Sequence, residues 1–120
     1  MSSVKSVVIF GKSLNLAGIG ACLKKKQELE VFEINPQDPD ARECLEELTP
    51  EVILFELSDP PNDLDMAFLR SKPGLLLIGV DPSSDEVLFL KGQRSKVVTA
   101  GELTKLIANH TDDKFVKKRD

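Results

Sequence analysis

Val52-Ile53-Leu54-Phe55-Glu56-Leu57 (VILFEL) is the stretch that decides the fold. A near-continuous apolar run of strand length marks a central parallel strand, because a strand with one wet face would alternate between apolar and polar residues. Glu56 is the only acid inside it, and its place near the end of the run makes it conspicuous. A second run of the same kind, LLLIGV from Leu75 to Val80, follows Pro73-Gly74. Between the two runs lie the breakers Ser58-Asp59-Pro60-Pro61 and a short helical piece around Leu64 to Arg70.

Toward the N-terminus the rhythm repeats. Val4 to Phe10 (VKSVVIF) is a β-branched apolar run ended by Gly11. From Ser13 it gives way to a helical segment, LNLAGIGACLKKKQ, in which Leu16, Ile19, Cys22 and Leu23 recur at helical spacing and Lys24 to Lys26 fall in the last turns. Gly18 and Gly20 weaken a helix interior, so close packing against the sheet is expected at both. Glu30 to Ile34 (EVFEI) alternates like a half-exposed strand; Asn35-Pro36 breaks it, Asp38 caps and Pro39 starts a second helix through Leu48. Alternating strands and helices with short links imply parallel pairing through right-handed crossovers, hence an α/β, doubly wound, mainly parallel sheet.

The last third changes character. Val87 to Leu90 (VLFL) and Lys96 to Thr99 (KVVT), joined by Lys91-Gly92-Gln93-Arg94-Ser95, read as a β-hairpin at the sheet edge, with Lys91, Arg94 and Lys96 as guards against edge-to-edge pairing. Gly101-Glu102-Leu103 opens a final helix with Leu103, Leu106 and Ile107 inward. The expected organisation is one domain over residues 1–110 and a polar tail over 111–120.

Composition narrows the function classes. The chain has 16 Lys and Arg against 20 Asp and Glu, a net charge of -4, so it lacks the cationic excess that drives phosphate-backbone binding, and direct nucleic-acid contact is not expected. The clusters Lys24-Lys25-Lys26 and Lys117-Lys118-Arg119 read as a solvated helix end and tail. No apolar stretch reaches the ~20 residues of a membrane span and the first residues lack a signal-peptide pattern, so a cytoplasmic location is expected. Cys22 and Cys44 have no CxxC spacing and read as small buried hydrophobes; His110 is the only histidine. No metal or cofactor is expected from these residue types.

Three segments carry a likeness to a known family. VVIFGKSLNLAGIGACLKKKQELEVF, TPEVILFELSDPP and KVVTAGELTKLI together resemble the receiver domains of bacterial response regulators, over roughly Val4 to Ile107. The resemblance implies a flavodoxin-like sheet of order 2-1-3-4 plus C-terminal strands, with the hairpin replacing the fourth helix. It also implies a carboxylate that accepts a phosphoryl group, two acids after the first strand that hold Mg²⁺, a hydroxyl after the fourth strand and a Lys after the fifth. Here the acidic pair falls on Gly11 and Lys12, the acceptor on Glu56, the hydroxyl on Gly79 or Val80, and the Lys on Thr99 or Ala100. Every functional residue of the family is replaced, so the expectation is a degenerate pseudo-receiver with no catalytic residue.

Lys12 and Glu56 both end up at the carboxyl edge of adjacent strands, where an ion pair would set an ammonium in the place of the metal. Independent extension of both side chains into solvent is the plainer alternative. Glu56 could also imitate a modified acceptor with one negative charge. Gly11-Lys12-Ser13 matches the end of a P-loop, but Ser6 stands at the first Gly position and strand residues follow it, which argues against nucleotide hydrolysis. Ser13, at a helix N-terminus, is the candidate anion site. The expected function is a phosphorylation-independent signalling or protein-interaction module with an unidentified protein partner, as a homodimer; the alternative is a small-ligand or anion sensor at the carboxyl edge of the sheet.

Overall fold

The computed structural model describes residues 4–92 and 96–110, with the side chain of His110 left aside. The elements in chain order are β1 (Lys5–Phe10), α1 (Leu14–Leu23), β2 (Leu29–Ile34), α2 (Ala41–Leu48), β3 (Val52–Glu56), α3 (Met66–Ser71), β4 (Leu76–Asp81), β5 (Glu86–Lys91) and α4 (Ala100–His110). They build an α/β structure around one five-stranded mixed sheet of order β2-β1-β3-β4-β5. β1 to β4 pair in parallel, and β5 runs antiparallel to β4 with Leu77 opposite Leu90 and Gly79 opposite Leu88.

Strand alternation divides the core in two. Val8, Phe10, Ile53, Phe55 and Leu77 point to one face, where Ala41 and Leu45 of α2 and Phe68 of α3 cover them. Val7, Ile9, Leu54 and Val80 point to the other face, covered by Leu16 of α1. Leu45 and Phe68 are fully buried, and each such side chain contributes on the order of 1.5–3 kcal/mol. VILFEL is apolar throughout because β3 sits between two such layers.

Several expectations give way. Lys96 to Thr99 forms no strand, so the hairpin is built from β4 and β5 instead, with its turn at 82–85. Asp81 Oδ1 accepts hydrogen bonds from the Ser83 amide (3.2 Å) and hydroxyl (2.7 Å), and Asp85 adopts the left-handed conformation at φ 57, which closes the turn. The turn at Asp81-Pro82-Ser83-Ser84-Asp85 is what folds β5 back onto β4. Gln93, Arg94 and Ser95 of the expected connector, and the 111–120 tail with Lys117, Lys118 and Arg119, lie outside the described residues.

Cys22 and Cys44 are exposed rather than buried, because each lies off the apolar stripe of its helix. Gly20 meets the sheet, with Ile9 Cγ1 3.3 Å from where a Cβ would stand, whereas Gly18 faces open space. α1 ends at Leu23, which leaves Lys24 to Lys26 beyond it, and α2 is entered through Asp40 rather than through an Asp38 cap. α4 buries none of Ala100–Asn109: Leu103 is exposed and Leu106 only partly covered, so the stripe expected to face inward does not.

Candidate functional site

β1 and β3 lie side by side, and their chains leave the carboxyl edge toward helices on opposite faces: α1 after β1, α3 after β3. Such a reversal opens a crevice at the strand ends. A cavity of about 720 Å³ occupies it, lined among others by Gly11, Lys12, Ser13, Glu56, Asp59 and Asp63.

Each wall has a local cause. The Gly11 amide donates to the Ile34 carbonyl (3.2 Å), which ties the end of β1 to β2, and a Cβ on Gly11 would overlap Leu16 Cδ1. A larger residue there would force the Leu16 side chain to shift. Ser13 Oγ accepts from the Leu16 amide at 3.1 Å and caps α1, a bond that uses a lone pair and leaves the O–H as a donor. On the far wall, Arg42 of α2 holds the loop after β3. Its Nη1 donates to the Asp63 carbonyl (3.4 Å) and stands 3.7 Å from the Asp65 carboxylate, while the guanidinium lies 5.2 Å from the Phe68 ring centroid. Asp65 Oδ1 in turn accepts from the Phe68 amide at 2.9 Å and caps α3.

Lys12 and Glu56 share this cavity. Among the described residues no ion pair within 4.0 Å joins them; Lys12 is exposed and Glu56 half-buried at the end of β3. The cavity is also more acidic than one carboxylate would make it, since Asp59 and Asp63 stand on the same wall. Even so, no group of three or more His, Cys, Asp or Glu side chains is arranged to hold a metal ion among the described residues.

The remaining sequence candidates lie elsewhere. Gly79 and Val80 are buried within β4, opposite Phe55 and Glu56, and contribute to the core rather than to the cavity. Gly79 is required there: a Cβ would run into Leu57 Cδ2, with Leu57 Cγ at 2.8 Å and Phe55 Cζ at 3.1 Å. Thr99 and Ala100 begin α4. Thr99 Oγ1 accepts from the Glu102 amide (3.2 Å), and Glu102 Oε1 accepts from the amides of Val98 (2.9 Å) and Thr99 (3.1 Å). These reciprocal bonds form a capping box. The Val98 amide first, then the Thr99 amide, hold the Glu102 carboxyl below its ordinary pKa, as Ser83 and then Ser84 do for Asp81.

A second feature lies at the sheet edge where the sequence places the hairpin. Val87, Leu88, Phe89 and Leu90 are all substantially exposed, at 51%, 47%, 65% and 42%, on the outermost strand of the sheet. β4 is followed directly by β5, so no intervening helix covers them, as the hairpin in place of a fourth helix implied. Compared with protein-family models, curated proteins and solved structures, the chain matches none. Among the described residues no helix is long and apolar enough to cross a membrane.

Proposed function

We propose that this chain is a degenerate, receiver-like regulatory domain of the cytoplasm that accepts no phosphoryl group and works as a non-catalytic protein-interaction module. One observation carries the reading: Lys12, not an acid, follows the end of β1 and lines the cavity together with Glu56. A phosphoryl acceptor needs concentrated positive charge on the incoming group, delivered by a divalent ion that several carboxylates hold in place. Gly11 and Lys12 supply no carboxylate on the β1 side, and the ammonium repels a divalent cation. Gly79, Val80, Thr99 and Ala100 offer neither a cavity-facing hydroxyl nor a second cation. The exposed apolar strand β5 supports contact with protein as the output.

A second reading rests on the cavity itself. At about 720 Å³, with Lys12 facing Glu56, Asp59 and Asp63 around it, the crevice suits a small zwitterionic ligand, and a sensor could use it. Incubating the protein with acetyl phosphate and Mg²⁺ and measuring its intact mass tests the first reading. An unchanged mass is expected; one added phosphoryl group on Glu56 overturns it.

A further inference from the structure

We propose that β5 is a self-pairing edge: two copies of the chain join β5 to β5 antiparallel about a two-fold axis, so that their sheets become one. This deepens the interaction-module reading by naming its partner as a second copy.

β5 is the last strand of the sheet, and among the described residues no strand lies beyond it. Val87 and Phe89 point to one face and Leu88 and Leu90 to the other, so the edge is apolar on both sides and all four side chains are exposed. The opposite edge, β2, is built differently. It carries the exposed acids Glu30 and Glu33, and Glu33 is engaged by Lys24 at 2.9 Å. Charges along an edge strand oppose edge-to-edge pairing, and β5 has none between its ends.

Its ends identify the occupant. Asp85 and Glu86 precede the apolar run and Lys91 closes it. Antiparallel self-pairing brings the acidic start of each strand to the basic finish of the other, whereas parallel pairing would set acids beside acids. Facing side chains share one side of a sheet, and a two-fold axis normal to the sheet preserves sides, so a residue must sit opposite its own copy. With Leu88 on the axis, Val87 faces the partner's Phe89, and Lys91 lies beside the acidic turn that leads into the partner's β5, where Asp85 stands just outside the ladder. With Phe89 on the axis, Lys91 would instead face the partner's Val87. Charge matching therefore selects the Leu88 register.

Sedimentation velocity on the full chain, with hydrogen exchange on the β5 amides, is the test. A species of twice 13.2 kDa is expected, with β5 protection that rises with protein concentration. Leu88→Lys, a change at a half-exposed side chain, should return the 13.2 kDa species with the thermal melt retained. Lys91→Glu sets like charges together at both ends and should weaken association about tenfold, which keeps the proposal testable if the first variant folds poorly. A 13.2 kDa species at every concentration, or a dimer that survives both substitutions undiminished, overturns the proposal. Phosphoryl transfer to Glu56 would refute the receiver-like reading and leave this mass result standing, so the two fail separately.

Discussion

Gly18 and Gly79 show how differently one residue type can be used. Both interrupt regular elements, yet a Cβ at Gly79 meets Leu57 and Phe55 inside the core, while one at Gly18 meets nothing within 4 Å. Gly79→Ala should destabilise the fold by about 1–3 kcal/mol through overpacking. Gly18→Ala should stabilise it by about 0.5–1 kcal/mol, because alanine costs less to order in a helix. Urea denaturation midpoints of the two variants, moving in opposite directions, check this. The glycines themselves are plain in the sequence; which of them touches a neighbour is not, because that depends on the rotation of α1 and on where Leu57 lands.

Among elements, the four parallel strands were legible, since β1, β3 and β4 are apolar runs that only a two-sided core explains and β2 alternates as a half-exposed strand does. After β4, the strand over Val87 to Leu90 and the final helix from Gly101 were legible as well, whereas Lys96 to Thr99 is not the strand that was expected. Val97 and Val98 have strand propensity, but Thr99-Ala100-Gly101-Glu102 is a capping-box sequence, and the local bonds it offers start a helix there. That signal was available and was outweighed by the apolar pair before it. Thr99→Ala should loosen the first turn of α4 by about 1 kcal/mol, and amide exchange in α4 should accelerate while the core stays unaffected. Acid should act on the same turn. Because folding holds the Glu102 carboxyl below its ordinary value of 4.5, its contribution is complete above that pH and disappears as pH falls through the lowered value. The Val98 and Thr99 amides should therefore lose protection on acidification before the core amides do.

Over the whole molecule, the two ends of the reading differ in how much the chain could reveal. The crevice at the strand ends follows from chain order alone, so Lys12 and Glu56 could be placed in it without coordinates. Asp59 and Asp63 could be assigned only to the loop after β3, because that loop is positioned by Arg42, a residue of another helix with no motif around it. That β5 lies at the sheet edge without a covering helix was legible; that all four of its apolar side chains stay exposed was not, because exposure is a property of what fails to cover a strand. Both features bear on one claim, that Lys12 replaces the divalent ion at the crevice and leaves the domain unable to respond to phosphoryl chemistry. Titration with Mg²⁺ and beryllofluoride, followed through the backbone amide signals of Gly11 to Ser13 and Glu56 to Asp59, tests that claim most directly. Unmoved signals are predicted; saturable shifts at both segments, dependent on both additives, would contradict it.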